Sequence, residues 1–300
     1  MGKIMTLHEA VSLFVHSGDT IFISGCQHGE PVAAIHEIVR QRIDHLTVVA
    51  ALVGSLSFLI GEGLVDKLIT GYFPQDESRS YSLVKARNTG HRPVIEEYSH
   101  FGVSLALFAG QIGIPFMPTR AQLGSDMLKF NPNIKEFTCP FTGGKLAGVK
   151  AIVPDVALFH TQRCDAEGNA QKWGSLGVDQ EGVNASRNII VTTEKIVNSD
   201  VIRRDPNRTI IPGFRVNAVV EQPWGAYPMH LAGCYNGGGF ALMQEMSGKD
   251  GYESYLKRYV YGVKDFNEYL ELRQGISGKE HFEGLKIKNP LFSEPVISGL

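Results

Sequence analysis

Short apolar runs of β-forming residues recur along this chain, each followed by a turn and a helical pattern. Thr20-Ile21-Phe22-Ile23 is the first and Leu46-Thr47-Val48-Val49-Ala50 the second. Such near-continuous apolar runs read as strands buried on both faces. Between them, Pro31 opens a helical pattern through Val32, Ile35, Ile38 and Val39, proline being favoured in a first helical turn. Ahead of them, Thr6-Leu7-His8-Glu9 fits a capping box, with Leu7, Ala10, Val11 and Phe14 at helical spacing and Gly18 as the stop. Alternation of this kind predicts an α/β fold: an open, mainly parallel sheet with helices on both faces.

The pattern resumes downstream. Residues 84–87 read as helix before Gly90, 100–112 as an apolar helix, and 114–117 as strand-like. Residues 152–153, 156–159, 188–192 and 216–220 read as further strands. Residues 252–271 read as a terminal helix carrying Tyr255, Leu256, Tyr259, Val260 and Val263 at a period near 3.6. The Gly/Pro-rich stretch 131–148 reads as a loop or lid. The last residues are polar and Gly/Pro-marked, a tail or docking arm. One α/β domain over 1–272 with a C-terminal tail over 273–300 is expected.

Bulk charge narrows the function. With 29 basic against 31 acidic residues, the chain has no overall attraction for nucleic acid or an anionic membrane. An anionic ligand must therefore be held by local groups. Cys26, Cys139, Cys164 and Cys234 form no C-x-x-C pair, which suits reduced thiols better than zinc or a disulfide framework. No H-E-x-x-H occurs, so no metal is expected. No run approaches ~20 apolar residues, and the opening MGKIMTLHEAV has no signal-peptide pattern. A cytoplasmic protein is expected.

Candidate chemistry sits where parallel sheets bind ligands, beyond the carboxyl ends of strands. The loop from Gly25 to Pro31 offers backbone N–H groups to an anion or developing oxyanion, with Gln27 and His28 as side-chain donors. The other reading is an ordinary βα turn; neither G-x-G-x-x-G nor G-K-[ST] is present. Ser99 and His100 precede the apolar helix: His100 as base or donor, or Ser99 as a cap with His100 merely half exposed. Arg120, Gly124 and Ser125 follow the strand-like 114–117, and Arg120 fits bidentate contact with a carboxylate or phosphate, or a surface ion pair. Cys164 beside Arg163 reads as a structural thiol, because no histidine partner is assignable.

Several stretches carry a resemblance: M-T-L-H-E-A, V-H-S-G-D-T-I, I-P-F-M-P, H-T-Q-R-C-D-A-E-G-N, R-R-D-P ahead of I-P-G-F-R-V-N-A-V-V, P-W-G-A-Y-P, and R-Y-V-Y-G-V-K-D-F-N-E-Y-L. Their order and spacing over about residues 1–272 resemble the α-type subunits of family I CoA-transferases of the glutaconate type. The resemblance implies an open, NagB-like α/β sheet with a C-terminal helical extension. It implies an active site at the contact with a β-type subunit, in an α2β2 or larger assembly. The implied reaction is ping-pong: a glutamate attacks an acyl-CoA thioester, giving an anhydride and then a glutamyl-CoA thioester, which an acceptor carboxylate reverses. CoA is then a substrate and not a resident cofactor.

That glutamate belongs to the β-type subunit, in a Ser-Glu-Asn-Gly-like context absent here. Gly61-Glu62-Gly63 reads as an ordinary turn with Glu62 on the surface. No catalytic residue is therefore expected in this chain, and Gly25, Gln27, His28, Ser99, His100, Arg120, Gly124 and Ser125 are the implied substrate contacts. Two departures stand out: Ser24-Gly25-Cys26 replaces the family's G-G-F, and the loop before Pro31 is one residue shorter. The stretch Arg120-Ala121-Gln122-Leu123-Gly124-Ser125 is more similar to a steroid ring-cleaving CoA hydrolase. An acyl-CoA hydrolase or C–C lyase using His100 as base and Arg120 as carboxylate holder is thus the alternative. A non-enzymatic sugar-phosphate sensor is a third reading, but no effector module is visible.

Overall fold

The computed structural model describes residues 2–26, 28–73, 80–238, 242 and 244–288. Along the first third, α1 (Leu7–Phe14), α2 (Val32–Gln41), α3 (Leu56–Gly61) and α4 (Tyr81–Asn88) alternate with β1 (Thr20–Ile23), β2 (Leu46–Ala50), β3 (Val65–Thr70) and β4 (Val94–Glu97). Next come α5 (His100–Ile112), β5 (Phe116–Thr119), α6 (Met127–Phe130), β6 (Ile134–Thr138) and β7 (Lys145–Lys150). Then follow β8 (Val156–Thr161), β9 (Arg163–Asp165), β10 (Ala170–Gln171), α7 (Asp179–Ala185) and β11 (Asn188–Thr193). The series ends with β12 (Ile196–Val197), α8 (Ser199–Arg203), β13 (Thr209–Ile211) and β14 (Ala218–Glu221).

Seven strands form one sheet in the order β14-β11-β8-β1-β2-β3-β4, and every neighbouring pair is parallel. The two-residue period of a strand explains its apolar runs. Ile21 and Ile23 enter one core while Phe22 enters the other; Val48 and Ala50 oppose Val49 and Ala51 likewise. The first core is closed by α1, α2, α3 and aromatic residues from the C-terminal helices, and the second by α5, α7 and the β6–β7 hairpin. The capping box on α1 forms: Glu9 N–H donates to Thr6 Oγ1 (3.2 Å) and Thr6 N–H to Glu9 Oε2 (2.8 Å).

Four expectations change. Residues 131–148 are not a lid: β6 and β7 form a hairpin, with β5 making a three-stranded antiparallel sheet. Residues 152–153 are not strand, because the Ile152 N–H turns away to donate to Ala106 O on α5 (2.9 Å). Gly110 permits that approach; a Cβ there would lie 2.1 Å from Ile152 O. The single helix over 252–271 is instead Gly248–Tyr255, a π-helical turn Leu256–Val260 and Phe266–Ser277. Gly262 folds back on Lys257 O, and Asp265 starts the new helix by accepting from Glu268 N–H (2.9 Å). Past residue 272 the chain stays helical, through Lys279–Leu285, whose Phe282 is buried against Trp224 and Tyr227.

β14 is flanked on its outer side by the N-terminal segment. Ile4 bridges Val219 in parallel, Met5 N–H donates to Val219 O (3.1 Å), and Val219 N–H to Lys3 O (2.8 Å). Among the described residues no helix is long and apolar enough to cross a membrane.

Candidate active site

Strand order locates the site. From β1 the chain builds β2, β3 and β4 to one side and later β8, β11 and β14 to the other. Loops leaving the carboxyl ends of β1 and β8 therefore diverge, opening the crevice where such sheets bind ligands. The β1 loop enters it at Gly25, whose φ of 108° excludes a side chain; a Cβ there would sit 2.8 Å from Glu30 Cγ.

This loop is braced from beneath by an ion pair that is fully buried. Gly25 N–H donates to Asp179 Oδ1 (2.7 Å), and Asp179 Oδ2 takes Lys172 Nζ (2.6 Å). Lys172 also donates to Gly29 O (3.3 Å), so one lysine–aspartate pair grips both ends of the turn. Glu30 braces it sideways. Its carboxylate, also fully buried, accepts Gly54 N–H (3.0 Å), Ser55 N–H (2.9 Å) and Ser55 Oγ–H (2.6 Å), tying the loop to the turn before α3. Burial pushes the Glu30 carboxyl up, and the Ser55 and Gly54 donors oppose that.

His28 faces inward. Ala232 N–H donates to Nε2 (2.9 Å), which assigns the proton to Nδ1, and Nδ1–H donates to Ser175 O (3.1 Å). Burial, reinforced by the Lys172 charge, lowers its pKa to about 4, so the ring is neutral and both nitrogens are engaged within the chain. Gly174 and Gly177, both at positive φ, let segment 172–177 press on the loop; a Cβ on Gly177 would lie 2.6 Å from Cys26 Cβ. Burial and then the Asp179 charge push the Cys26 thiol up, so it remains protonated. Gln27 lies outside the described residues.

The other implied contacts gather farther along the same edge, at β3 and β4. Ser99 Oγ accepts Gly102 N–H (2.9 Å), capping α5, and also Gln122 Nε2–H (2.8 Å). That second bond ties the Arg120–Ser125 turn to the start of α5. His100 is exposed in the first helical turn, its ring against Gly71, where a Cβ would lie 2.5 Å from His100 Cδ2. Arg120 and Gly124 are exposed, and Ser125 Oγ donates to Gln122 O (2.8 Å). Three strand spacings separate β1 from β4, roughly 14 Å. The sequence candidates thus mark two ends of a candidate groove along the carboxyl edge and not a single cluster.

Several residues essential to this geometry were not singled out from sequence. Lys172, Asp179, Glu30 and Gln122 carry no local motif; only the strand order brings the first two beneath Gly25. At the ends of β8 and β11, His160 lies between Thr192 Oγ1 (2.9 Å) and Glu194 Oε1 (2.9 Å). Glu194 also accepts Trp224 N–H, Gly225 N–H and Tyr235 O–H, so this cluster braces segment 224–235. Cys164 is buried, and burial with the Asp165 charge pushes its thiol up, as befits a structural thiol. Glu62 departs from expectation. Its side chain is only 7% exposed and is held by Arg42, Lys85 and Tyr261, because it joins the ends of α2, α3 and α4 to the C-terminal helices. Among the described residues no three His, Cys, Asp or Glu side chains converge as a metal site.

An all-parallel open sheet with a braced loop at its switch point defines an α/β protein of the class that binds ligands beyond the carboxyl ends of its strands. The family model for coenzyme A transferase matches residues 4–222. The A subunit of 3-oxoadipate CoA-transferase from Pseudomonas knackmussii is 36% identical over 276 residues, covering 90% of this chain and 97% of that one. The A subunit of glutaconate CoA-transferase from Acidaminococcus fermentans is 32% identical over 293 residues, covering 90% and 91%. The crystal structure of glutaconate coenzyme A-transferase from that organism superposes with a TM-score of 0.83 at 31% identity, over 96% of this chain and 97% of that one. A cholesterol ring-cleaving hydrolase IpdA subunit from Rhodococcus jostii is 29% identical over 274 residues, covering 87% of each. The chain belongs to the coenzyme A transferase family.

Proposed function

We propose that the chain is the A-type subunit of a heteromeric CoA-transferase that moves CoA between an acyl-CoA and a carboxylic or dicarboxylic acid. The observation that carries this reading is the state of the carboxylates at the switch point. Glu30 and Asp179 are fully buried, and each is bound by protein donors, so neither is placed to attack a thioester. The β1 loop is shaped to hold a substrate without supplying a nucleophile. A glutamate on a β-type partner subunit supplies it, in an α2β2 or larger cytoplasmic assembly.

In that reaction a partner carboxylate oxygen attacks the thioester carbon, and CoA leaves as thiolate. The thiolate then attacks the resulting anhydride at the glutamyl carbonyl, releasing the first acid. The acceptor carboxylate reverses both steps. This chain contributes the β1 loop, with Gln27 as a side-chain donor; Lys172 and Asp179 hold Gly25 and Gly29, and His28 packs inward against Ser175 and Ala232. It also contributes the groove end at Ser99, His100, Arg120, Gly124 and Ser125. Arg120, being exposed, is available to a substrate carboxylate or CoA phosphate.

The test is to co-purify the chain with its partner, incubate the complex with an acyl-CoA and reduce with borohydride. A reduced glutamate in the partner is the expected result; no labelled glutamate refutes the transferase. A second reading, a hydrolase or C–C lyase, is favoured by the exposure of His100 at the groove end. His100→Gln abolishes activity in that mechanism and only weakens a transferase.

A further inference from the structure

Thr20, Thr47 and Lys67 stand toward the amino ends of β1, β2 and β3, and Ile69, Glu96 and Tyr98 continue the same face of the sheet toward the carboxyl ends of β3 and β4. There the structure holds a cavity of about 270 Å³, roofed by residues 150–153. Its inner wall is Glu96, whose Oε1 accepts Tyr98 O–H (2.8 Å) and Asn133 Nδ2–H (2.7 Å) while Oε2 pairs with Lys67. Those donors occupy the buried carboxylate, so the cavity does not recruit a cation through it. What it offers instead is donors.

Lys67 keeps N–H groups beyond its pairing with Glu96. Lys150 lines the cavity, is exposed, and has no ion-pair partner among the described residues. The hydroxyls of Thr20 and Thr47 add further donors at the strand starts. Two lysines against one glutamate leave a net positive charge. Ile69 supplies an apolar floor, and Ile152 an apolar part of the roof.

We propose that this cavity is a second ligand site, for a small anion with a short apolar body: a short-chain carboxylate or a small phosphate ester. The juxtaposition of Lys67 and Lys150 over an occupied Glu96 and an apolar floor carries the assignment. A volume below the roughly 300–1,000 Å³ of drug-sized sites excludes CoA itself. The cavity's Tyr98 end adjoins Ser99 of the candidate groove, and the proposal does not depend on the transferase reading.

Isothermal titration of the full chain tests it, with glutarate and glycerol 3-phosphate as probes and 1,5-pentanediol as the uncharged control. At least one anion binds, more weakly at high salt, and the diol does not. Which anion binds separates a carboxylate from a phosphate ligand. Lys150→Glu, at an exposed position with no ion pair to lose, keeps the thermal midpoint and weakens binding about tenfold or more. Failure of both anions to bind overturns the proposal. So does anion binding that Lys150→Glu leaves unchanged, because such binding belongs elsewhere on the chain.

Discussion

His36 makes the chain sensitive to acid. It sits on α2, fully buried in a cage of Phe58, Tyr255, Phe266 and Tyr269, with ring centroids 4.9 to 6.2 Å away. Neither ring nitrogen has a hydrogen-bond partner. Burial, then the Arg40 and Arg273 charges, hold its pKa well below the ordinary value. The folded state therefore refuses a proton that the unfolded chain accepts below pH ~6.5. Stability is full above that pH and falls as pH drops toward the folded pKa, by about 1.4 kcal/mol per pH unit from this residue. Between pH 8 and pH 5 the loss is about 2 kcal/mol. His36→Leu, similar in volume and without a titrating group, costs under about 1.5 kcal/mol at pH 8. Urea denaturation at both pH values, on wild type and variant, measures the difference. The variant loses about 2 kcal/mol less on acidification; equal losses within about 0.5 kcal/mol refute the reasoning.

Other perturbations probe the site. Lys172→Met leaves the Asp179 charge buried without its partner and costs about 3–5 kcal/mol in urea denaturation; adding Asp179→Asn recovers part of it. Gly25→Ala forces a side chain into positive φ and against Glu30, so the thermal midpoint falls and turnover drops with it. Glu62→Gln breaks the pairs with Arg42 and Lys85 and costs about 1–3 kcal/mol without changing the KM of the assembled enzyme. Arg120→Ala changes stability by less than about 0.5 kcal/mol yet raises the KM for the anionic substrate, which separates a ligand contact from a structural one.

The central strands were readable because each is apolar at nearly every position. β3 and β4 were not, since Lys67 and Glu96 interrupt them. The structure shows why those residues are tolerated: the strands pair, and the two side chains meet across them. In the β6–β7 hairpin burial alternates along Lys145–Lys150 but not along Ile134–Thr138, whose apolar Ile134 and Phe137 lie three apart, and the glycines and proline between the strands disguised a turn as a loop. At the candidate site, the turn at Gly25 and the helix cap at Ser99 were legible from local position alone. Lys172 and Asp179 were not, because they reach Gly25 from a distant loop and helix that only the strand order brings near. His28 shows the limit from the other side. Its type suggested a donor facing a ligand, whereas contacts to Ser175 and Ala232 turn it inward.

The seam between Lys3–Met5 and Val219 has a consequence for synthesis. Those first residues emerge from the ribosome on the order of tens of seconds before residue 219 exists to receive them. β1 waits as well, because its partner β8 begins only at Val156. A nascent chain that stops short of β8 therefore carries the middle strand of the finished sheet as an open edge, with Phe22 lacking the cover of α7. Such an edge pairs readily with strands of other chains. Translation pausing before residue 156 favours aggregation, and chaperone engagement during that interval sets the yield of folded subunit.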